Sequence, residues 1–315
     1  MMKKFFCIFS LIFQNCVIMY IAIADSTSPY TETNLLNIIH QKLSYSLLST
    51  AERLDYFFSR DNIDEENNLT RAHTSAGVKL DKINKTTMLS DVKLRMVLPG
   101  LRNKLHIIFD NDIENEDPSS IASINKSIQN SNPDTGLRYI ILSDLRKRIQ
   151  TDAGVRSSNG YQIFGRLRGG IIFPYKKWEL RLNQTVMWLT KDGWEETTQM
   201  RWDYNMQNNY LFRSDSQLKW QESVKGVTPF QSFSLLKEIN RKNAWHFDVS
   251  GKWPEFPYTQ EAEYVTALTH RRLIYCDWLF AEISSGVSFS QNINYTPNPF
   301  VMFKMEIVFG NYPKK

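Results

Sequence analysis

The period of apolar and polar positions changes once along this chain. From Thr31 to about Arg60, Leu35, Ile38, Ile39, Leu43, Leu47 and Leu54 recur at helical spacing, with Asn37, Gln41, Lys42 and Glu52 on the other side. Thr31 or Thr33 can cap this amphipathic helix. The stretch 61–68 is acidic and rich in helix breakers, and beyond it the period becomes two. In a strand, alternate side chains point to opposite faces. In 161–173, Tyr161, Ile163, Leu167, Ile171 and Phe173 share one face, and Gln162, Arg166 and Arg168 the other. Trp178, Leu180, Leu182, Val186 and Trp188 oppose Glu179, Arg181 and Asn183. In 300–310, Val301, Phe303, Met305, Ile307 and Phe309 oppose Lys304 and Glu306.

About fourteen such runs follow one another: 69–80, 91–98, 102–110, 137–143, 148–157, 161–173, 178–190, 195–204, 210–221, 229–239, 244–253, 260–273, 278–289 and 300–310. An even number of antiparallel strands with one apolar face and one charged face is the pattern of an outer-membrane barrel, where those faces meet lipid and lumen. In a soluble sandwich the same alternation means core and solvent. The connections discriminate. If the first run points outward, the inner turns are all short and the longest loops, above all 111–136, lie on the outer side, as in a barrel. Ser214 and Ser216 interrupt one apolar row, Glu238 ends another, and Glu261, Glu263 and His270 sit awkwardly in 260–273. A barrel of twelve strands with two runs outside it would accommodate them.

Composition sharpens this picture. Aromatic residues make up 13% of a chain of 315 residues with negative mean hydropathy, and Trp and Tyr gather near run ends, where aromatic girdles sit. The net charge of +5 is scattered, with no basic run of the kind that follows a nucleic-acid backbone, so nucleic acid is not an expected partner. Lys3 and Lys4, an apolar stretch to Ile23 and the Ala22-Ile23-Ala24 triplet read as a secretory leader cleaved before Asp25. Cys7 and Cys16 lie in that leader, which leaves Cys276 alone and no disulfide framework.

Arg and Lys cost about 2–4 kcal/mol on the lipid face at midplane, so the charged rows should face the lumen. The candidate lumen residues are Lys93, Arg95, Arg166, Arg168, Arg181, Arg201, Arg213, Lys219, Lys304 and Glu306, with Lys104 and Lys237 also assigned inward. Cations outnumber anions in this set. That favours anions if the lumen is open, whereas a closed network of paired charges would plug it. No catalytic motif stands out. His270 precedes Ser284, Ser285 and Ser288 on the next run, the nearest approach to a hydrolase pair, without a motif to join them. No His or Cys spacing suits a metal, and no cofactor is expected. The acidic stretch 110–117 lacks the spacing of a calcium loop.

The segments VKLRMVLPGLRNKL from Val92, WELRLNQT from Trp178 and DGWEETT from Asp192 resemble a family of uncharacterised proteobacterial outer-membrane proteins, over about 35–310. That resemblance implies location and barrel form, and no activity or site residue. One departure from the usual outer-membrane pattern is that Gly-Asn-Tyr-Pro-Lys-Lys follows Phe309, instead of a terminal aromatic.

The expectation is therefore an all-β chain. It comprises a signal peptide at 1–24, a short periplasmic helix and linker at 25–68, an antiparallel transmembrane β-barrel of about 12–14 strands at 69–310, and a periplasmic tail at 311–315. Its expected place is the bacterial outer membrane, and its expected role a narrow channel or structural component. The expected partners are outer-membrane lipid, lipopolysaccharide, the barrel-assembly machinery and a periplasmic partner of the helix. The alternatives are an outer-membrane enzyme acting on lipid or lipopolysaccharide and a soluble periplasmic β protein.

Overall fold

The computed structural model describes residues 71–97, 104–110, 134–144, 146–157, 160–206, 208–253, 262–275 and 278–310. The leader, the predicted N-terminal helix, the acidic stretch beyond Asp110 and the C-terminal tail lie outside them. Fourteen strands follow in chain order: β1 (Arg71–Asp81), β2 (Lys85–Val97), β3 (Leu105–Asp110), β4 (Asp134–Ser143), β5 (Lys147–Ser157), β6 (Tyr161–Tyr175) and β7 (Trp178–Leu189). The second half comprises β8 (Gly193–Asn205), β9 (Tyr210–Gln221), β10 (Gly226–Asn240), β11 (Asn243–Lys252), β12 (Glu263–Tyr275), β13 (Leu279–Ser290) and β14 (Asn298–Gly310). Each pairs antiparallel with its sequence neighbours, and β14 returns to β1 with Asp81 opposite Phe300 and Arg71 opposite Gly310. The sheet is therefore a closed barrel with no free edge, and no run lies outside it.

Turn chemistry fixes the hairpins. At the β1–β2 corner, Asp81 Oδ1 accepts from the Ile83 and Asn84 amides at 2.9 and 2.6 Å, and Lys85 takes a positive φ of 60°. This tight corner is a correction, since the polar stretch 81–90 reads as a loop. Thr86, Thr87 and Ser90 are instead paired residues of a long hairpin, with Met88 exposed on it. The ends of the barrel are distinguishable. The lower end carries the short β4–β5, β6–β7, β8–β9 and β10–β11 connections, and the upper end carries the chain intervals 111–133 and 253–262.

Period-two burial runs round the barrel. In β6, Gln162, Phe164, Arg166 and Arg168 are buried, while Tyr161, Ile163 and Leu167 are exposed. In β14, Phe300, Met302 and Glu306 are buried, while Val301, Phe303 and Met305 are exposed. Buried rows point into a closed barrel and exposed rows point away, so charge lies mainly inside and a mainly apolar belt outside. Aromatic rings mark both rims of that belt. Above, Trp253 Nε1 donates to the Tyr264 hydroxyl at 2.8 Å, and Tyr264 meets Tyr295. Below, Trp178 packs on Tyr204 with ring centroids 4.3 Å apart.

Candidate functional site

The inner wall is the one place where the described residues concentrate charge. Strand register brings its groups together. Arg201 stands opposite Asp215 and Asp203 opposite Arg213 on β8 and β9. Arg213 grips Asp203 with a two-pronged contact, both bonds 2.8 Å, and Arg201 donates twice to Asp215 Oδ2 at 3.1 and 3.0 Å. The same residue order, Arg-x-Asp, occurs on each strand, and antiparallel pairing turns it into two complementary rungs. Further up the same two strands, Gln221 donates to Glu195 at 2.8 Å and Lys219 lies 3.5 Å from the same carboxylate.

On β4, β5 and β6 the register aligns Arg138, Asp152 and Arg166. Asp152 therefore serves two arginines, accepting from Arg138 at 3.0 and 3.3 Å and from Arg166 Nε at 2.9 Å. Above it, Arg156 holds Asp134 with bonds of 2.9 to 3.1 Å. The opposite wall inverts the arrangement. There Arg271 is the shared partner, bound to Glu282 and, at 2.8 Å, to Glu306, with its guanidinium over the Phe280 ring. Lys304 also pairs with Glu282, and His73 Nδ1 lies 3.4 Å from Glu306.

The two walls differ in balance. Among buried and half-buried side chains on the inward rows of β4–β9, the cations are Arg138, Arg148, Arg156, Arg166, Arg168, Arg181, Arg201, Arg213 and Lys219, and the anions Asp134, Asp152, Glu179, Glu195, Asp203 and Asp215. From β10 round to β2 the cations are Lys252, Arg271, Lys304, Lys79 and Lys93, and the anions Glu238, Asp248, Glu263, Glu282, Glu306, Asp81 and Asp91. Among the described side chains cations predominate on the first wall and anions on the second. In a fourteen-membered ring these two arcs face each other, so the described charges set a field across the lumen.

The sequence-predicted residues fall as follows. Lys93, Arg166, Arg168, Arg201, Arg213 and Glu306 are buried on inward rows, and Arg181, Lys219 and Lys304 are half-buried there. The side chain of Arg95 is not among those described. Lys237 is a correction, because it lies on the outward row, donates to the Tyr210 hydroxyl at 2.7 Å and covers that ring. Glu238 correspondingly points inward. Both rows of β10 carry large apolar residues, Phe230 and Leu236 on one and Phe233 and Leu235 on the other, so the alternation alone chose the wrong face. Lys104 lies exposed just before β3.

The sequence did not reveal three apolar clusters on the inner wall: Leu211, Leu236, Ala244 and Phe280 near the lower end, and Phe164–Met187–Leu189 and Val265–Ala267–Phe300 near the upper. His270 and Ser284 lie on opposite faces of the sheet. The histidine stacks on Trp245 at 4.7 Å on the outward face of the lower rim, while Ser284 is buried on the inward face and bonded to Thr269 at 2.8 Å. Among the described residues no His, Cys, Asp and Glu group is arranged to hold a metal ion.

No family model matches the chain, and no curated protein matches it. Among solved structures the chain is similar to Pseudomonas putida OprB at low pH, at 10% identity over 76% of this chain and 92% of that one, with a TM-score of 0.48. It is similar to outer-membrane-expressed OmpT of Vibrio cholerae at 9% identity, covering 76% and 97% of the two chains, with a TM-score of 0.47. It is also similar to the KdgM porin at 4% identity, covering 75% and 99%, with a TM-score of 0.38.

Proposed function

We propose that this chain is a bacterial outer-membrane barrel whose lumen is a narrow channel for small hydrophilic solutes, with a preference for anions. The observation that carries the reading is the division of faces: an exposed belt of Val, Leu, Ile and Phe outside and paired Arg, Lys, Asp and Glu inside. Only a surrounding apolar solvent makes such an outer face favourable, and only a polar interior makes the inner one so. A soluble periplasmic protein would bury the belt instead. The anion preference rests on the cation excess on β4–β9, which the smaller anion excess on the facing wall does not cancel among the described side chains; on β4–β9 each carboxylate is already held by an arginine or a neighbouring polar group. The opposed faces of His270 and Ser284 speak against the hydrolase alternative.

In this reading the lower end faces the periplasm, together with the N-terminal segment and the tail. The upper loops meet lipopolysaccharide, and the barrel-assembly machinery inserts the chain. Cell fractionation, heat-modifiable gel migration and planar-bilayer recording test it together. The expected result is a heat-modifiable outer-membrane protein that conducts in KCl. A soluble product that does not shift on heating overturns the barrel, and a membrane product without conductance overturns the channel.

A further inference from the structure

The apolar belt has one breach. On β7 to β10, between the upper aromatics Trp188, Trp194 and Trp220 and the lower aromatics Trp178, Tyr204 and Tyr210, the outward rows carry Gln184, Glu196, Thr198, Ser214, Ser216 and Gln231. All six are half-buried; five lie near mid-height of their strands, and Glu196 stands just below the upper aromatics, opposite Trp220. At the same level other strands present Val78, Val92, Leu167, Phe247, Ile283 and Phe303. Outward hydroxyls elsewhere stand singly, as Thr151 does in donating to the Arg166 carbonyl at 3.1 Å.

The six residues form two clusters side by side. In the first, Gln184 donates to Glu196 at 2.7 Å and accepts from Thr198 at 2.7 Å. In the second, Gln231 accepts from Ser216 at 2.5 Å and donates to Ser214 at 3.1 Å and to its neighbour's carbonyl at 3.0 Å. These bonds leave the second Glu196 oxygen and the further Gln184 N–H without a partner among the described residues. Hydrocarbon offers none, so leaving them against lipid is costly. The register of β8 on β9 sets the second cluster, opposite Met200 and Trp202, further along the strands than the first, opposite Leu218 and Trp220, and the tilt of barrel strands brings the two toward one height with Met200 between them. The β7 side supplies a carboxylate, and the β10 side supplies hydroxyls. A twofold axis parallel to the barrel axis and passing near Met200 brings the carboxylate cluster of one copy onto the hydroxyl cluster of another, twice over. That is the self-complementarity of an isologous contact. Beside Gln184, Gly169 and Gly165 of β6 leave open space where side chains would stand, so two barrel walls can approach closely there.

We infer that the β6–β10 face is where two copies of this chain meet within the membrane. The inference rests on the membrane-barrel reading above, and its test separates the two. With Cys276→Ser as background, Met200→Cys is oxidised in intact outer membranes and compared with Val301→Cys on the far wall. The expected result is a disulfide-linked dimer from Met200→Cys only. Native mass spectrometry from mild detergent should give twice the chain mass. The variant Gln184→Leu, Glu196→Leu and Gln231→Leu should associate roughly twentyfold more weakly while keeping its heat-modifiable barrel. A monomeric wild type, equal cross-linking from both positions, an undiminished dimer in the triple variant, or cross-links to a different protein would each overturn the dimer. A protein that is absent from the membrane and does not shift on heating overturns both readings.

Discussion

The cation-rich wall of β4–β9 and the wall that faces it use opposite hubs. On the first, the Asp152 carboxylate joins Arg138 and Arg166. On the second, the Arg271 guanidinium joins Glu282 and Glu306. Each wall keeps its surplus charge buried by sharing one group of the opposite sign, and the sign of the shared group reveals the sign of the surplus. Pairing and polarity are therefore compatible. Charges can be bonded along each wall and still leave a field across the lumen, so a network of ion pairs need not imply a neutral plug.

The strongest challenge to this comparison is to remove a hub. Asp152→Ala leaves two buried arginines without their shared carboxylate, and Arg271→Leu leaves two buried glutamates together. Each should destabilise the barrel by about 3–5 kcal/mol, read as an earlier unfolding midpoint in urea with the protein in lipid. If either change is neutral, the pairs are not structural. Next in size is the contrast between inner and outer faces. Phe303→Arg, on the exposed row at mid-height of β14, should cost about 2–4 kcal/mol in the same assay. A third experiment separates polarity from stability. Arg166→Gln with Arg168→Gln should lower the chloride preference of the conductance, whereas Glu282→Gln should raise it, because the first removes lumen cations and the second a lumen anion. Shifts in the same direction would deny that these groups line the conducting path. The smallest effect belongs to Lys237→Met. At the lower rim its ammonium reaches Tyr210, and the change should stay within about 1 kcal/mol, far below that of Phe303→Arg.

Much of this architecture was legible in the residues. Strands such as β6 and β14, with charge on one row and bulky apolar groups on the other, give face and register directly, because exchanging the faces would put arginine against lipid. The barrel's closure on β14 and the alternation of connections follow from even strand number and loop length. The Arg-x-Asp repeats at Arg201 and Arg213 were visible too, although their meeting as complementary rungs needs the register of β8 on β9. Other features were not legible, for definite reasons. β10 is apolar on both rows, so Lys237 and Glu238 were exchanged. The first hairpin hides behind threonines and serines that look like loop residues but are paired. The apolar clusters inside the barrel, and the outward cluster at Gln184 and Glu196, break the alternation that made everything else readable. Their only signal was a polar gap at position 184 in the row Trp178, Leu180, Leu182, Val186 and Trp188.

If a cation-rich wall faces an anion-rich wall across an open lumen, the reversal potential of the purified protein in a planar bilayer under a KCl gradient reads it out. Chloride should permeate more readily than potassium, and the preference should fall in the Arg166→Gln, Arg168→Gln variant. A closed lumen, a potassium preference, or a reversal potential unmoved by that variant would contradict this arrangement.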